Sequence, residues 1–234
     1  MKRPEIIAEI GQNFNGDIDL ALEMIHKVKE CGADVAKFQV YDAVALFPKE
    51  GNPWYEYNCS TELTKDQIYR LAEECKKVDI EFMASVFDLE RIDWLEEIGV
   101  KRYKTASRSI TDLELINKII ATGKETIISL GMWDGDDFPQ IKGADPKYLY
   151  CVSKYPTPLE DVKLSAVDFS KYAGFSDHTI GVSAPIAAMA QGEEIIEKHF
   201  TLDQKMYGPD HICSATPEEL TQICQFRDDL VLIG

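Results

Sequence analysis

Short apolar runs alternate with amphipathic stretches along the whole chain. Ile6 to Gly11 is almost continuously apolar, broken only by Glu9, which predicts a strand buried on both faces. Gln12 to Asp17 carries loop residues, and Asp17 is placed to cap a helix. Leu20, Leu22, Met24, Ile25 and Val28 then recur at helical spacing, and Gly32 stops the helix. Asp34 to Val40 predicts the next strand and completes a βαβ unit.

The same beat continues. Residues 42–64 read as a long loop of the functional kind. Thr64 caps a predicted helix to about Lys77, Glu81–Phe87 is a strand, and Asp88 opens a helix that ends at Gly99. Arg102–Ser107 and Thr126–Gly131 are strands around a helix from Asp112 to Ala121. Trp133 to Asp145 lacks a helical period, so the fifth crossover is expected to be shortened. Lys147–Ser153, Ala173–His178 and Glu194–Thr201 complete the strands. Helices are predicted over 160–171 and from Val182 to Gln191, and Pro217 stands at N1 of the last one. Eight strands alternating with helices imply α/β architecture, a parallel (β/α)8 TIM barrel forming one domain over 1–234. The alternative, an open doubly wound sheet, would carry G-x-G-x-x-G after its first strand, and none is present.

Composition narrows the function. With 45% hydrophobic residues the chain can build a core, and it has no apolar run long enough to span a membrane. The apolar stretch after Pro4 is too short for a signal peptide, so a cytoplasmic location is expected. The six cysteines include no C-x-x-C pair, which argues against a disulfide framework or a cysteine zinc site. A net charge of −16 would repel nucleic-acid phosphates and argues against nucleic acid as a partner. It also means that any small anionic substrate needs locally concentrated cations and amide donors.

Polar residues recur where predicted strands end: Glu9 and Asn13, Lys37 and Gln39, Ser85, Lys104 and Ser107, Ser153 and Tyr155, Ser176 and His178, Lys198 and His199. In a barrel these positions converge on one mouth and suggest an anion-binding pocket. His178 and His199 are candidate ligands for a divalent ion, or else hydrogen-bonded core histidines. Asp177 would orient His178 or cap a loop. Lys37 and Lys104 would hold a phosphate or carboxylate, or pair with Glu9 or Glu197. Glu9 is open to three roles: base, hydroxyl-binding carboxylate or salt-bridge partner.

These residues lie in motifs. Ala8-Glu9-Ile10-Gly11, Val35-Ala36-Lys37-Phe38-Gln39, Tyr103-Lys104 with Ser107, Tyr155-Pro156-Thr157-Pro158, Phe175-Ser176-Asp177-His178-Thr179, Ile196-Glu197-Lys198-His199-Phe200-Thr201 and Gly208-Pro209-Asp210-His211 occur in this order. Together they resemble the sialic acid (N-acetylneuraminate) synthase family. The resemblance implies a TIM barrel that condenses phosphoenolpyruvate with an amino sugar, using Mn2+ or Mg2+. It implies His178 and His199 as metal ligands. Lys37, Ser85, Lys104, Ser107 and Ser176 would hold phosphoenolpyruvate, and Glu9, Gln39, Tyr155 and Asp210 would face the sugar. Three departures stand out. Ser109 replaces a common glutamate, with Arg108 beside it in place of a small residue. Ser153 replaces an asparagine. The usual C-terminal antifreeze-like domain, which in family dimers supplies an arginine, is not in the sequence. The expected partners are phosphoenolpyruvate and a sugar, with a homodimer or a separately encoded C-terminal domain. A barrel that binds an anionic sugar without turnover, or another metal-dependent lyase or aldolase, is the alternative.

Overall fold

In a computed structural model, which describes residues 2–234, eight parallel strands close into a barrel in chain order. They are β1 (Glu5–Gly11), β2 (Val35–Val40), β3 (Glu81–Val86), β4 (Arg102–Thr105), β5 (Glu125–Ser129), β6 (Lys147–Cys151), β7 (Gly174–Asp177) and β8 (Ile195–His199). The long helices are α1 (Ile18–Glu30), α4 (Lys65–Lys77), α5 (Leu89–Ile98), α6 (Leu113–Ala121), α8 (Ser183–Ala190) and α9 (Pro217–Ile233). Their starts follow the sequence signals. Asp17, Thr64, Asp88, Asp112 and Thr216 each accept a backbone N–H in the first turn, and Thr64 and Thr216 form full capping boxes with Gln67 and Glu219. No helix is long and apolar enough to cross a membrane among the described residues. All six cysteines are free.

Strand alternation sorts the side chains into two shells. Outward residues such as Ile6, Ala8, Ala36, Phe38, Ala84 and Ile196 pack beneath the helices. Inward residues form layers along the barrel axis. At the N-terminal end, Arg102 is clamped by Glu5, Glu81 and Glu125. Above it lies an apolar plug of Ile7, Val35, Met83, Ile127, Leu149 and Ile195. Above that the inward positions turn polar. The plug therefore closes the barrel floor and leaves the C-terminal end for chemistry.

Three crossovers differ from plain helices. Residues 42–64, expected as loop, contain two short helices, α2 (Ala43–Leu46) and α3 (Tyr55–Ser60). They are tied down by a buried network in which Gln12 Nε2 lies within 2.6–3.1 Å of Tyr41 Oη, Asn58 Oδ1 and Thr61 Oγ1. Between β5 and β6 there is no helix, as the pattern predicts. Trp133, Phe138 and Ile141 pack in its place against Ile128, Leu130 and Tyr148. Phe138 lies 5.1 Å from Tyr148 and 4.6 Å from Tyr172, ring to ring. The helix predicted over 160–171 is a correction. Only α7 (Leu159–Val162) and a 3-10 turn at Leu164–Ala166 form, because Lys163 between them adopts a left-handed conformation (φ 49°) that ends the helix.

Just before β8, Glu193 is 2% exposed and neither carboxylate oxygen has a hydrogen-bond partner. Burial, and then the neighbouring Glu194, push its carboxyl up to about 8. The folded protein therefore keeps a proton that the unfolded chain releases above its ordinary value of 4.5, and stability falls as pH rises from 4.5 to 8. Glu193→Gln is expected to raise unfolding stability at pH 8.5 by about 1–3 kcal/mol, with little change at pH 5. Urea unfolding at both pH values checks this; equal effects at the two would contradict it.

Candidate active site

The polar layer above the plug is a compact charge cluster. Lys37 Nζ lies 2.6 Å from Glu9 Oε2 and 3.5 Å from Glu197 Oε2, and donates to Ser85 Oγ at 2.9 Å. Lys104 Nζ lies 3.5 Å from Glu197 Oε1 and donates to Ser129 Oγ at 2.7 Å. Ser176 Oγ donates to Glu197 Oε1 at 2.7 Å, and Gln39 Nε2 to Glu9 Oε1 at 2.9 Å. Both lysines are 2% exposed, so water does little to screen them. Strand register builds the cluster, since Glu9 is paired with Lys37 on one side and His199 on the other, and Ser85 is paired with Lys104.

Environment drives the two carboxylates apart. Burial, with Glu197 adding to it, raises Glu9 above its usual range despite Lys37. Burial acts on Glu197 in the same direction, but Lys104 and Lys37 overcome it and hold that carboxyl down to about 2. Burial also depresses Lys104, with Lys37 adding to the effect and Glu197 opposing it. Glu197 is thus the firm counterion, and Glu9 is the group able to take up a proton.

Above the cluster stand the two histidines. Their ring centroids are 5.5 Å apart, and the Tyr155 ring sits 4.0 Å from that of His178. His178 Nδ1 is 2.9 Å from the Val152 carbonyl. That contact assigns the proton to Nδ1 and the lone pair to Nε2. His199 Nδ1 is buried without a partner. Burial, then His178 and Lys37, hold this imidazole well below its ordinary value, so it is neutral. On His178 burial acts in the same direction, but Cys151, the Val152 carbonyl and Asp177 overcome it and raise that imidazole above its ordinary value. Two imidazoles, one of them neutral with an orphaned nitrogen, are donors of the type that suits a divalent ion. No group of three or more His, Cys, Asp or Glu converges on one point among the described residues. His178 and His199 are the residues that could hold such an ion, and two protein ligands would leave positions for water or substrate oxygens.

The cluster forms a recess of about 50 Å3 that opens into a cavity of about 510 Å3. Gln39, Ser107, Tyr155 and His199 line both, and Ser153, Asp210, Arg108, Phe47, Phe87 and Met132 line only the wider part. Gly131 keeps the junction open. A Cβ there would lie 2.9 Å from Cys151 Sγ and 3.1 Å from Ser107 Oγ. Burial pushes the Asp210 carboxyl up to about 6.

All twelve expected site residues border these two spaces. Other strand-end residues do not. Asn13 donates to the Phe200 carbonyl and Ser214 Oγ, both at 2.8 Å, and borders neither. Lys198 points to the outer shell, fully buried, and pairs with Asp177 at 2.6 Å. Asp177 caps Thr179 and makes no hydrogen bond to His178. His211 is a buried core histidine held by Thr201 Oγ1 at 2.7 Å. Residues beyond the expected set are Glu197, Ser129 and Cys151 in the recess. Glu197 lies two before His199, so strand alternation alone places it on the inward face.

A (β/α)8 barrel with a charged recess and two histidines at its C-terminal mouth carries polar chemistry at the face where barrel enzymes have their active sites. The chain belongs to the NeuB family, which it matches over residues 24–230. It is 37% identical over 259 residues to an N,N'-diacetyllegionaminic acid synthase of Legionella pneumophila, covering 98% of this chain and 73% of that protein. It is 34% identical to the human N-acetylneuraminate-9-phosphate synthase, covering 93% of this chain and 67% of the human protein. Among solved structures, the N-acetylneuraminic acid synthetase of Leptospira borgpetersenii in complex with citrate superposes with a TM-score of 0.89 at 32% identity. That match covers 98% of this chain and 85% of that one.

Proposed function

We propose that this protein condenses phosphoenolpyruvate with an aldose or N-acyl amino sugar, forming a 2-keto-3-deoxy sugar acid and releasing phosphate. The observation that carries the reading is the pair of buried lysines, Lys37 and Lys104, at the floor of a cavity whose wall holds His178 and His199. Phosphoenolpyruvate would place an anionic end in the recess. There Lys37, Lys104, Ser85, Ser107 and Ser176 supply charged and hydroxyl donors. The sugar would occupy the wider cavity against Gln39, Ser153, Tyr155 and Asp210. A divalent ion, Mn2+ or Mg2+, held by His178 and His199 would polarise the sugar aldehyde.

C3 of phosphoenolpyruvate then bonds to the aldehyde carbon, water adds at C2, and the C2–O bond to phosphate breaks to leave the keto group. The lysines stay charged and fixed as negative charge shifts to the leaving phosphate. Glu9, with its raised proton affinity beside Lys37 and Gln39, is placed to move a proton to or from the adding water or sugar hydroxyl. Phosphate release should require phosphoenolpyruvate, a divalent metal and an aldose together. A panel of aldoses and N-acyl amino sugars with Mn2+ tests this, and no release from any of them would sink the proposal.

A further inference from the structure

The chain has six arginines, and five of them are paired with carboxylates: Arg3 with Asp34, Arg70 with Asp19, Arg91 with Glu62, Arg102 with Glu5, and Arg227 with Asp34. Arg108 makes no ion pair among the described residues, although the protein carries a net charge of −16. It sits on the 3-10 turn Ser107–Ser109 after β4 and borders the wide cavity. Its guanidinium carbon lies 5.1 Å from the centre of the Phe47 ring, and its one hydrogen bond, to the Leu46 carbonyl, is long at 3.3 Å. The residue is exposed, the ring contact holds the guanidinium beside Phe47, and most of its N–H donors have no protein partner.

Charge counting gives this placement a meaning. In the recess, Lys37 and Lys104 are matched by Glu9 and Glu197. The wide cavity is lined by one cation, Arg108, and one acid, Asp210, which are not paired with each other. A held, unpaired guanidinium on a cavity wall is suited to bidentate capture of a carboxylate or phosphate. The lysines already serve the anion at the floor, and Arg108 faces the space assigned to the sugar. We infer that Arg108 is a specificity-determining residue, and that the acceptor is an aldose bearing an anionic group, phosphate or carboxylate, remote from its aldehyde. This inference rests on the condensation reading above.

The test compares N-acetylmannosamine, its terminal phosphate ester and mannuronic acid as acceptors with Mn2+ and phosphoenolpyruvate, in the wild type, Arg108→Gln and Arg108→Lys. An anionic acceptor should exceed the neutral one in kcat/KM by roughly 10- to 100-fold, the usual worth of a charge-assisted contact. Arg108→Gln should remove that advantage by raising KM for the anionic sugar with a smaller change in kcat, and Arg108→Lys should restore part of it. A residue that only ties two loops together would not produce this split. The phosphate and carboxylate arms tell the two anions apart. Equal kcat/KM for all three sugars, with turnover intact, would overturn the inference and leave the condensation standing. A rise in KM for phosphoenolpyruvate in Arg108→Gln, whatever the sugar, would also overturn it. If no sugar turns over, calorimetry decides: anionic sugar binding that Arg108→Gln abolishes upholds the anion site and counts against condensation, and no binding refutes the inference.

Discussion

Replacing His199 with alanine should lower metal-dependent phosphate release by roughly a thousandfold, the effect of losing about 4 kcal/mol of charge stabilisation at the reacting carbonyl. The expectation rests on the state of the imidazole. His199 is buried, held neutral by burial, His178 and Lys37, and its Nδ1 has no partner in the protein. A core histidine kept for packing would satisfy that nitrogen, as His211 does with Thr201 and Asn15. His178→Ala should cost a similar factor, and it also leaves the Val152 carbonyl without its ring N–H donor. Phosphate release measured against Mn2+ concentration, alongside calorimetry of Mn2+ binding, reads both effects. Full activity with unchanged Mn2+ affinity in either variant would refute the ligand assignment.

Glu197→Gln should weaken both folding and phosphoenolpyruvate binding, and the two losses should run in opposite directions with pH. Glu197 lies 3.5 Å from each of two buried lysines, and removing one partner of a buried ion pair typically costs about 3–5 kcal/mol. Glutamine preserves the shape and can still accept the Ser176 hydroxyl, so the variant should fold. Lys104 is already depressed by burial and by Lys37, and Glu197 opposes that depression. Without the carboxylate, Lys104 falls further and loses its proton at lower pH. Phosphoenolpyruvate affinity in the variant should then fall as pH rises, because the neutral amine no longer attracts the anion. Stability should instead recover as pH rises towards 10.5, the unfolded lysine value, because the unfolded chain binds the proton that the folded one has released. Calorimetric affinity and urea unfolding across the same pH series check the pair. Parallel trends would show that Lys104 does not carry the effect.

Much of the barrel could be read from the pattern of residues. Continuous apolar runs need cover on both faces, and capped amphipathic stretches between them supply it, so parallel pairing with helical crossovers is close to forced. The missing fifth helix was legible too, because the stretch from Trp133 to Asp145 has no helical period. What replaces it was not: Trp133, Phe138 and Ile141 are scattered along the chain, and only folding gathers them over Ile128 and Tyr148. The region 160–171 misled because its composition permits a helix, whereas the left-handed Lys163 is a property of the folded backbone.

The site divides in the same way. The residue types at the strand ends point to a polar mouth, because lysines and histidines in buried strands require partners or a ligand. The sequence could also place His178 and His199 together, through motifs that follow one another in order. Alternation along each strand also sorts the faces. Lys198 and His199 are adjacent in the chain, yet strand alternation sends one to the outer shell and the other to the cavity. What the sequence left open is whether Glu9 or Glu197 pairs with each lysine, and whether Arg108 would find an acid among 41. Those outcomes depend on barrel closure, which brings β1, β2, β4 and β8 around one axis and fixes distances between residues far apart in the chain. Charge pairing in a buried site follows from those distances, and a linear chain does not contain them.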